Sequence, residues 1–318
     1  MNALQERREH LERVADALLR QNATKAEIDG AALELHDLLA ATAGNHAATP
    51  MKLACGTAIA PADAARCTKD GLRTAMFLRG VLAAIEEAKR RFPGERIEVV
   101  YAGTGPYAAL AVPLMPRLSQ VSFTLIDIHD AAIESLRAVI GHFGFESLVR
   151  AVVAGDATAY EHPSDLPLHV VICETMQRAL TVEPQVAIVR HLASRLHPRG
   201  IVVPQRVSVD LVLRDGADER VGRAVELTLE TARDPHYWSQ RRVLRLPGVR
   251  PKALPVLVTT INTFDGHELR EYDSGLTHPE VLWDLTDLAE GEELELWYEL
   301  GSHPRIRARR PAPSPAAP

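Results

Sequence analysis

With 318 residues, 46% of them hydrophobic, the chain is long enough for one large domain or two medium ones and can bury a core, which excludes a disordered or fibrous protein. A net charge of −6 excludes a general phosphate-backbone binder, and no apolar run reaches membrane-spanning length, so neither nucleic acid nor membrane is an expected partner. Cys55, Cys67 and Cys173 lack a CxxC spacing and form no even framework, so no metal site or disulfide scaffold is expected, and the first residues carry no signal-type apolar stretch, pointing to a soluble cytoplasmic protein.

Residues 4 to 42 read as two helices. Leu4, Leu11, Val14 and Leu18 recur at helical spacing, and Thr24 with Glu27 makes a capping box ahead of Leu33, Leu35, Leu38 and Leu39. The expected unit is a helical hairpin over 1–45. Residues 43 to 66, rich in Ala, Gly, Thr and Pro, suggest a loop or crossing segment, followed by a helix over roughly 68–91.

From Ile97 the pattern becomes short apolar runs separated by helical or turn-rich stretches: 97–102, 121–126, 149–154, 170–173 and 201–203. A doubly wound parallel sheet requires this alternation, so the expected fold class is α/β, with a Rossmann-like domain over 46–204. After Pro204 the period changes to two. Val207, Val209, Leu211 and Leu213 alternate, as do Leu294, Leu296, Tyr298 and Leu300, and 256–264 is a further apolar run, giving an antiparallel β region over 205–303. Residues 304–318, mostly Pro, Ala and Arg, are expected to be a disordered tail.

The loop Gly103-Thr104-Gly105-Pro106-Tyr107-Ala108 follows the first strand, where backbone must approach a ligand at the carboxyl end of the sheet. Asp127 closes the second strand, where a carboxylate accepts hydrogen bonds from both hydroxyls of a ribose. Asp156 and Ala157, after the third strand, lie where an adenine would be held. A lone Gly-x-Gly-x-x-Ala also fits ordinary turns and NAD domains, so an NAD-binding reading stays open.

Glu174 follows the fourth strand in Val171-Ile172-Cys173-Glu174-Thr175-Met176, and Glu183 comes nine positions later. Two carboxylates leaving one strand end can grip a planar cation from two sides. The plain alternatives are a strand-end carboxylate and a glutamate favoured by a helix dipole.

This stretch resembles the paired-glutamate loop of the protein arginine methyltransferases. Lys69-Asp70-Gly71-Leu72-Arg73-Thr74 is similar to that family's Lys-Asp-x-x-Arg-Thr helix start. The run 196–203 with Pro204 and Arg206 is similar to its strand leading into a β-barrel, and Thr277-His278 with Trp283-Asp284 to its threonine-histidine-tryptophan loop. The likeness covers roughly residues 68 to 300.

The resemblance implies S-adenosyl-L-methionine as methyl donor, bound by Arg73, Gly103, Gly105, Asp127, Asp156, Ala157 and Glu174, with Arg73 on its carboxylate. It further implies Glu174, Glu183, His278 and Asp70 as catalytic residues, with His278 and Asp70 meeting as an ion pair, and a homodimer. The chain departs from the family at Tyr101, where the first glycine of the cofactor loop is usual, and at Pro279, where tryptophan is. The tyrosine-rich amino-terminal helix is absent and the β region is shorter than a complete barrel.

These departures turn the expected acceptor from a protein tail to a small guanidino substrate, free L-arginine, as in the bacterial methylation step of streptozotocin biosynthesis. A peptide or protein arginine methyltransferase and a non-catalytic cofactor-binding protein are the alternatives. Cys173 is expected as a buried small residue, and Tyr237 and Trp238 as pocket or dimer-surface residues.

Overall fold

The computed structural model describes residues 3–44, 47–216, 218–248, 253–285 and 287–311. Helices α1 (Ala3–Leu19) and α2 (Lys25–Ala40) form the expected hairpin. The Thr24 and Glu27 capping box is present, and Leu11, Val14, Leu18, Ile28, Leu35 and Leu39 are buried. Leu33 is instead 47% exposed, because it falls on the outer face of the α2 stripe. The boundary expected at 45/46 lies outside the described residues.

Of the expected loop over 43–66, the part from residue 51 onward holds regular structure. It forms an antiparallel hairpin, β1 (Met51–Leu53) with β2 (Gly56–Ala58), and a short helix α3 (Pro61–Cys67) opened by Pro61. Proline is preorganised for a first helical turn, where no N–H is needed. Helix α4 (Gly71–Arg91) follows with Asp70 as its N-cap and buries Ala75, Leu78, Val81 and Ile85.

Strands β3 (Ile97–Ala102), β4 (Val121–Asp127), β5 (Val149–Ala154), β6 (Leu168–Cys173) and β7 (Leu196–Val203) form one parallel sheet in the order β5-β4-β3-β6-β7. Helices α5 (Asp130–Phe143) and α6 (Gln185–Ala193) are its later crossovers. The central strands β3, β4 and β6 are buried at every position, the condition under which strands read as continuous apolar runs. The order reverses at β3, so β3 and β6 diverge in connection at their carboxyl ends. That is where ligands bind in sheets of this type.

Beyond β7 the chain builds two antiparallel sheets. The first joins β8 (Arg206–Arg214), β9 (Asp218–Thr228), β11 (Leu254–Phe264), β12 (His267–Leu269) and β13 (Glu280–Val281); the second joins β10 (Arg242–Arg245), β14 (Glu293–Glu299) and β15 (Arg305–Arg309). A short helix α7 (Leu229–Arg233) follows β9. These sheets give the barrel-like region expected after Pro204.

The expected tail is corrected in part: residues 305–309 are a strand, not disordered. Ile306 faces inward at 5% exposure, while Arg307 and Arg309 pair across the ladder with Glu299 and Glu295 at 2.8 and 2.6 Å. Alternation of charge and apolar residue thus suits an edge strand. Residues 312–318 lie outside the described residues. Among the described residues no helix is long and apolar enough to cross a membrane.

Candidate functional site

At the carboxyl end of the parallel sheet lies an open cavity, whose void of about 990 Å³ includes space continuous with solvent. It brings together Arg73, Gly103, Gly105, Asp127, Asp156, Ala157, Glu174 and Glu183, eight of the ten residues named from the sequence. Asp70 and His278 are not in its wall.

Gly103 and Gly105 have φ of 72° and 58°, the left-handed region that glycine enters without a Cβ clash. A Cβ on Gly103 would stand 2.1 Å from Thr175 Cγ2, so the loop lies tight against the segment that carries Glu174. Asp127 holds the loop from the other side. Its Oδ2 accepts from the Gly105 N–H at 2.8 Å and its Oδ1 from the His129 N–H at 3.0 Å. Burial pushes the Asp127 carboxyl up, and these amide donors pull it back. Each oxygen retains a lone pair for a further donor. Asp156 Oδ1 accepts from the backbone N–H and the hydroxyl of Thr158, a turn that keeps this acid at the cavity rim.

The other end of the cavity is charged. Arg73, near the start of α4, is ion-paired with Glu174 at the end of β6, and their side chains are only 13% and 8% exposed. Burial disfavours the Arg73 charge, yet Glu174 beside it raises the guanidinium pKa overall. Glu174 is itself pushed up by burial and drawn back by Arg73. Its Oε1 is buried without a hydrogen-bond partner. Native structures seldom leave such an oxygen unpaired unless a ligand or water completes it.

Glu183 is 7% exposed, and its carboxyl is pushed up to about 7 by burial and then by the negative charge of Glu174. Two largely buried carboxylates therefore line one cavity, and Arg73 is ion-paired with one of them, Glu174.

Gln185 was not legible as a site residue. It is fully buried in the first turn of α6, its Oε1 accepts from the Thr175 N–H at 2.8 Å, and its Nε2 donates to the Cys173 carbonyl at 2.9 Å. It clamps the backbone on both sides of Glu174. A buried polar residue twelve positions from its partner leaves no local sequence signal. Cys67 also lines the cavity, and Tyr101 sits there nearly enclosed.

The Asp70 and His278 ion pair implied by the resemblance is not formed. Asp70 instead accepts from its own helix at the Arg73 N–H, 3.3 Å, and from the Ser274 hydroxyl and Gly275 N–H at 2.6 and 3.3 Å, which tie it to the turn at 274–275. His278 is exposed and lies edge-on to Tyr272, ring centroids 5.6 Å apart. Asp70→Ala is accordingly expected to lower stability by about 1–2 kcal/mol through loss of the cap and the Ser274 link, whereas His278→Ala leaves it within about 0.5 kcal/mol. Urea unfolding of the two variants checks this pair of values.

Cys173 is buried, with its thiol pushed up to about 12 by burial, as an inert core residue requires. Trp238 is neither pocket nor surface. It is 4% exposed, donates to the Thr231 carbonyl at 2.8 Å and packs on Tyr298 inside the β region, while the Tyr237 hydroxyl accepts from the Glu226 N–H.

No protein-family model and no curated protein sequence matches the chain. Solved structures do. The PRMT1 enzyme-prozyme heterotetrameric complex of Trypanosoma brucei, determined with AdoHcy, superposes with a TM-score of 0.56 at 13% identity, over 79% of this chain and 94% of that one. Protein arginine methyltransferase 10 of Arabidopsis thaliana, in an open conformation, gives 0.54 at 15% identity, over 73% and 85%. At such identities the likeness establishes the fold alone, and in fold this chain is similar to the protein arginine methyltransferases.

Proposed function

We propose that the chain is an S-adenosyl-L-methionine-dependent N-methyltransferase that acts on a guanidinium nitrogen, with free L-arginine as acceptor. The observation that carries the reading is the pair of buried carboxylates, Glu174 with an unpartnered oxygen and Glu183, facing one cavity. A planar cation with several N–H donors fits such a pair, whereas a neutral ligand would leave buried charge uncompensated.

The remaining wall fits an adenosyl donor. Asp127 has free lone pairs for ribose hydroxyls, and the glycine loop, with Gly103 and Gly105 in the cavity wall, admits close approach of a ligand. Arg73 engages Glu174 through one nitrogen, and a guanidinium with five N–H donors retains others for a carboxylate. The AdoHcy in the Trypanosoma brucei neighbour supports the same assignment.

When bound, the donor supplies a methyl group activated by its sulfonium. The residues of this chain align and polarise the acceptor. Deprotonating a guanidinium in advance would cost about 7 kcal/mol at neutral pH, so the proton leaves during or after transfer. Ionised Glu174 and Glu183 draw positive charge toward themselves and localise electron density on the attacking nitrogen. Glu183, with its carboxyl pushed up to about 7, has the proton affinity to accept what the nitrogen releases.

Calorimetry tests the donor site. AdoHcy is expected to bind the wild-type chain while NAD does not, and Gly105→Val is expected to abolish AdoHcy binding. A Cβ at Gly105 would stand 3.1 Å from the Ala64 Cβ, tighter than ordinary contact, on backbone with φ of 58°. Unchanged affinity in that variant, or tight NAD binding, would sink the donor assignment.

A further inference from the structure

The loop that carries Glu183 to the cavity is held in a conformation its residues disfavour. Ala179, Leu180 and Val182 have φ of 54°, 56° and 67°, where a Cβ crowds the following carbonyl. For a β-branched residue such as Val182 this is a true outlier, and it persists only where the surroundings over-determine it.

Four hydrogen bonds from outside the loop do so. Thr259 of β11, 1% exposed, accepts from the Ala179 N–H at 2.9 Å. Tyr298 of β14 donates through its hydroxyl to the Leu180 carbonyl at 2.6 Å and is itself fixed against Trp238, ring centroids 5.3 Å apart. The Val182 N–H donates to the Pro304 carbonyl at 3.0 Å, and the Thr57 N–H of β2 donates to the Val182 carbonyl at 2.8 Å. Gly56 closes the remaining side. A Cβ there would stand 2.8 Å from the Val182 oxygen and 3.0 Å from the Glu183 carbonyl carbon.

We infer that Tyr298 and Thr259 are positioning residues: from the β region they hold the 178–183 loop in its strained form, and thereby set where Glu183 meets the acceptor. Neither side chain forms part of the cavity wall, so any effect on turnover must pass through the loop. The catalytic consequence rests on the proposed function; the mechanical claim does not. Displacement of a reacting partner's support by about 1 Å is enough to slow a reaction by about a hundredfold.

Tyr298→Phe removes one hydroxyl and little volume. Amide hydrogen exchange over residues 177–184 is expected to quicken by about three- to tenfold, as loss of one hydrogen bond implies, with the parallel sheet unchanged. Turnover of L-arginine or an arginine peptide is expected to fall by about ten- to a hundredfold, with AdoHcy affinity within about twofold. In a Glu183→Gln background the same substitution should lower turnover by less than about twofold, because both changes act on one contact.

Unchanged exchange in the loop, or losses that multiply in the double variant, would overturn the inference. If Glu183→Gln alone keeps wild-type turnover, the proposed function fails, and loop exchange still decides the positioning claim. Should Tyr298→Phe loosen the whole chain, Thr259→Val, nearly equal in shape, gives the same measurement at the Ala179 N–H.

Discussion

Glu183→Gln is expected to lower kcat/KM for the guanidino acceptor by roughly thirty-fold to several-thousand-fold, corresponding to about 2–5 kcal/mol, because one acceptor oxygen becomes a donor facing a donor. The same substitution is expected to stabilise the protein above neutral pH. Burial, then Glu174, raises the Glu183 carboxyl from 4.5 to about 7 in the folded chain. A group whose folded pKa lies above its unfolded value contributes stability that is complete below about 4.5 and lost as pH rises through about 7. The loss amounts to about 3 kcal/mol at most, since each unit of pKa difference is 1.36 kcal/mol.

Thermal unfolding across this window should therefore show a falling wild-type stability and a flatter profile for the variant. In kinetics, wild-type kcat/KM should rise with pH through an apparent pKa near 7, as Glu183 ionises to meet the cation, and the limb should vanish in Glu183→Gln. A variant that turns over normally, or loses stability at every pH, would return Glu183 to a structural role.

Glu174→Gln is expected to act on stability with the opposite sign. Glu174 compensates the buried Arg73 charge, so its removal leaves an unpaired guanidinium in the protein interior. Breaking a buried pair from one side costs about 3–5 kcal/mol. Turnover should fall as in the first variant. Urea unfolding at neutral pH beside steady-state kinetics separates the two glutamates: both variants slow the reaction, while one unfolds earlier and the other later. Shifts of stability in the same direction would contradict the assigned electrostatics.

The contrast also shows what a sequence displays and what it hides. Strands β3, β4 and β6 are legible because complete burial demands unbroken apolar runs. Strand β9 is not: its bulges opposite Val209–Asp210 and Leu211–Val212 break the alternation that marks an antiparallel strand. Strand β15 is masked by its arginines, whose partners lie on β14.

In the site, Glu174, Asp127 and the glycine loop are legible from their places at strand ends. Glu183 is legible through its nine-position spacing from Glu174, but nothing in Ala179, Leu180 or Val182 announces left-handed backbone; that conformation is imposed by contacts made with residues 259, 298, 304 and 57. The Asp70 acceptor is likewise satisfied by Ser274, 204 positions away, a contact no local pattern encodes.

The kinetic expectations all rest on methyl transfer to a guanidinium nitrogen. Its most direct test is mass spectrometry of reactions in which S-adenosyl-L-methionine carrying a deuterated methyl is offered with L-arginine, an arginine peptide and guanidinoacetate. One labelled methyl is expected on a guanidino nitrogen of L-arginine, dependent on Glu174 and Glu183. Binding of AdoHcy with no label on any of the three acceptors, or label on an atom other than a guanidino nitrogen, would contradict it.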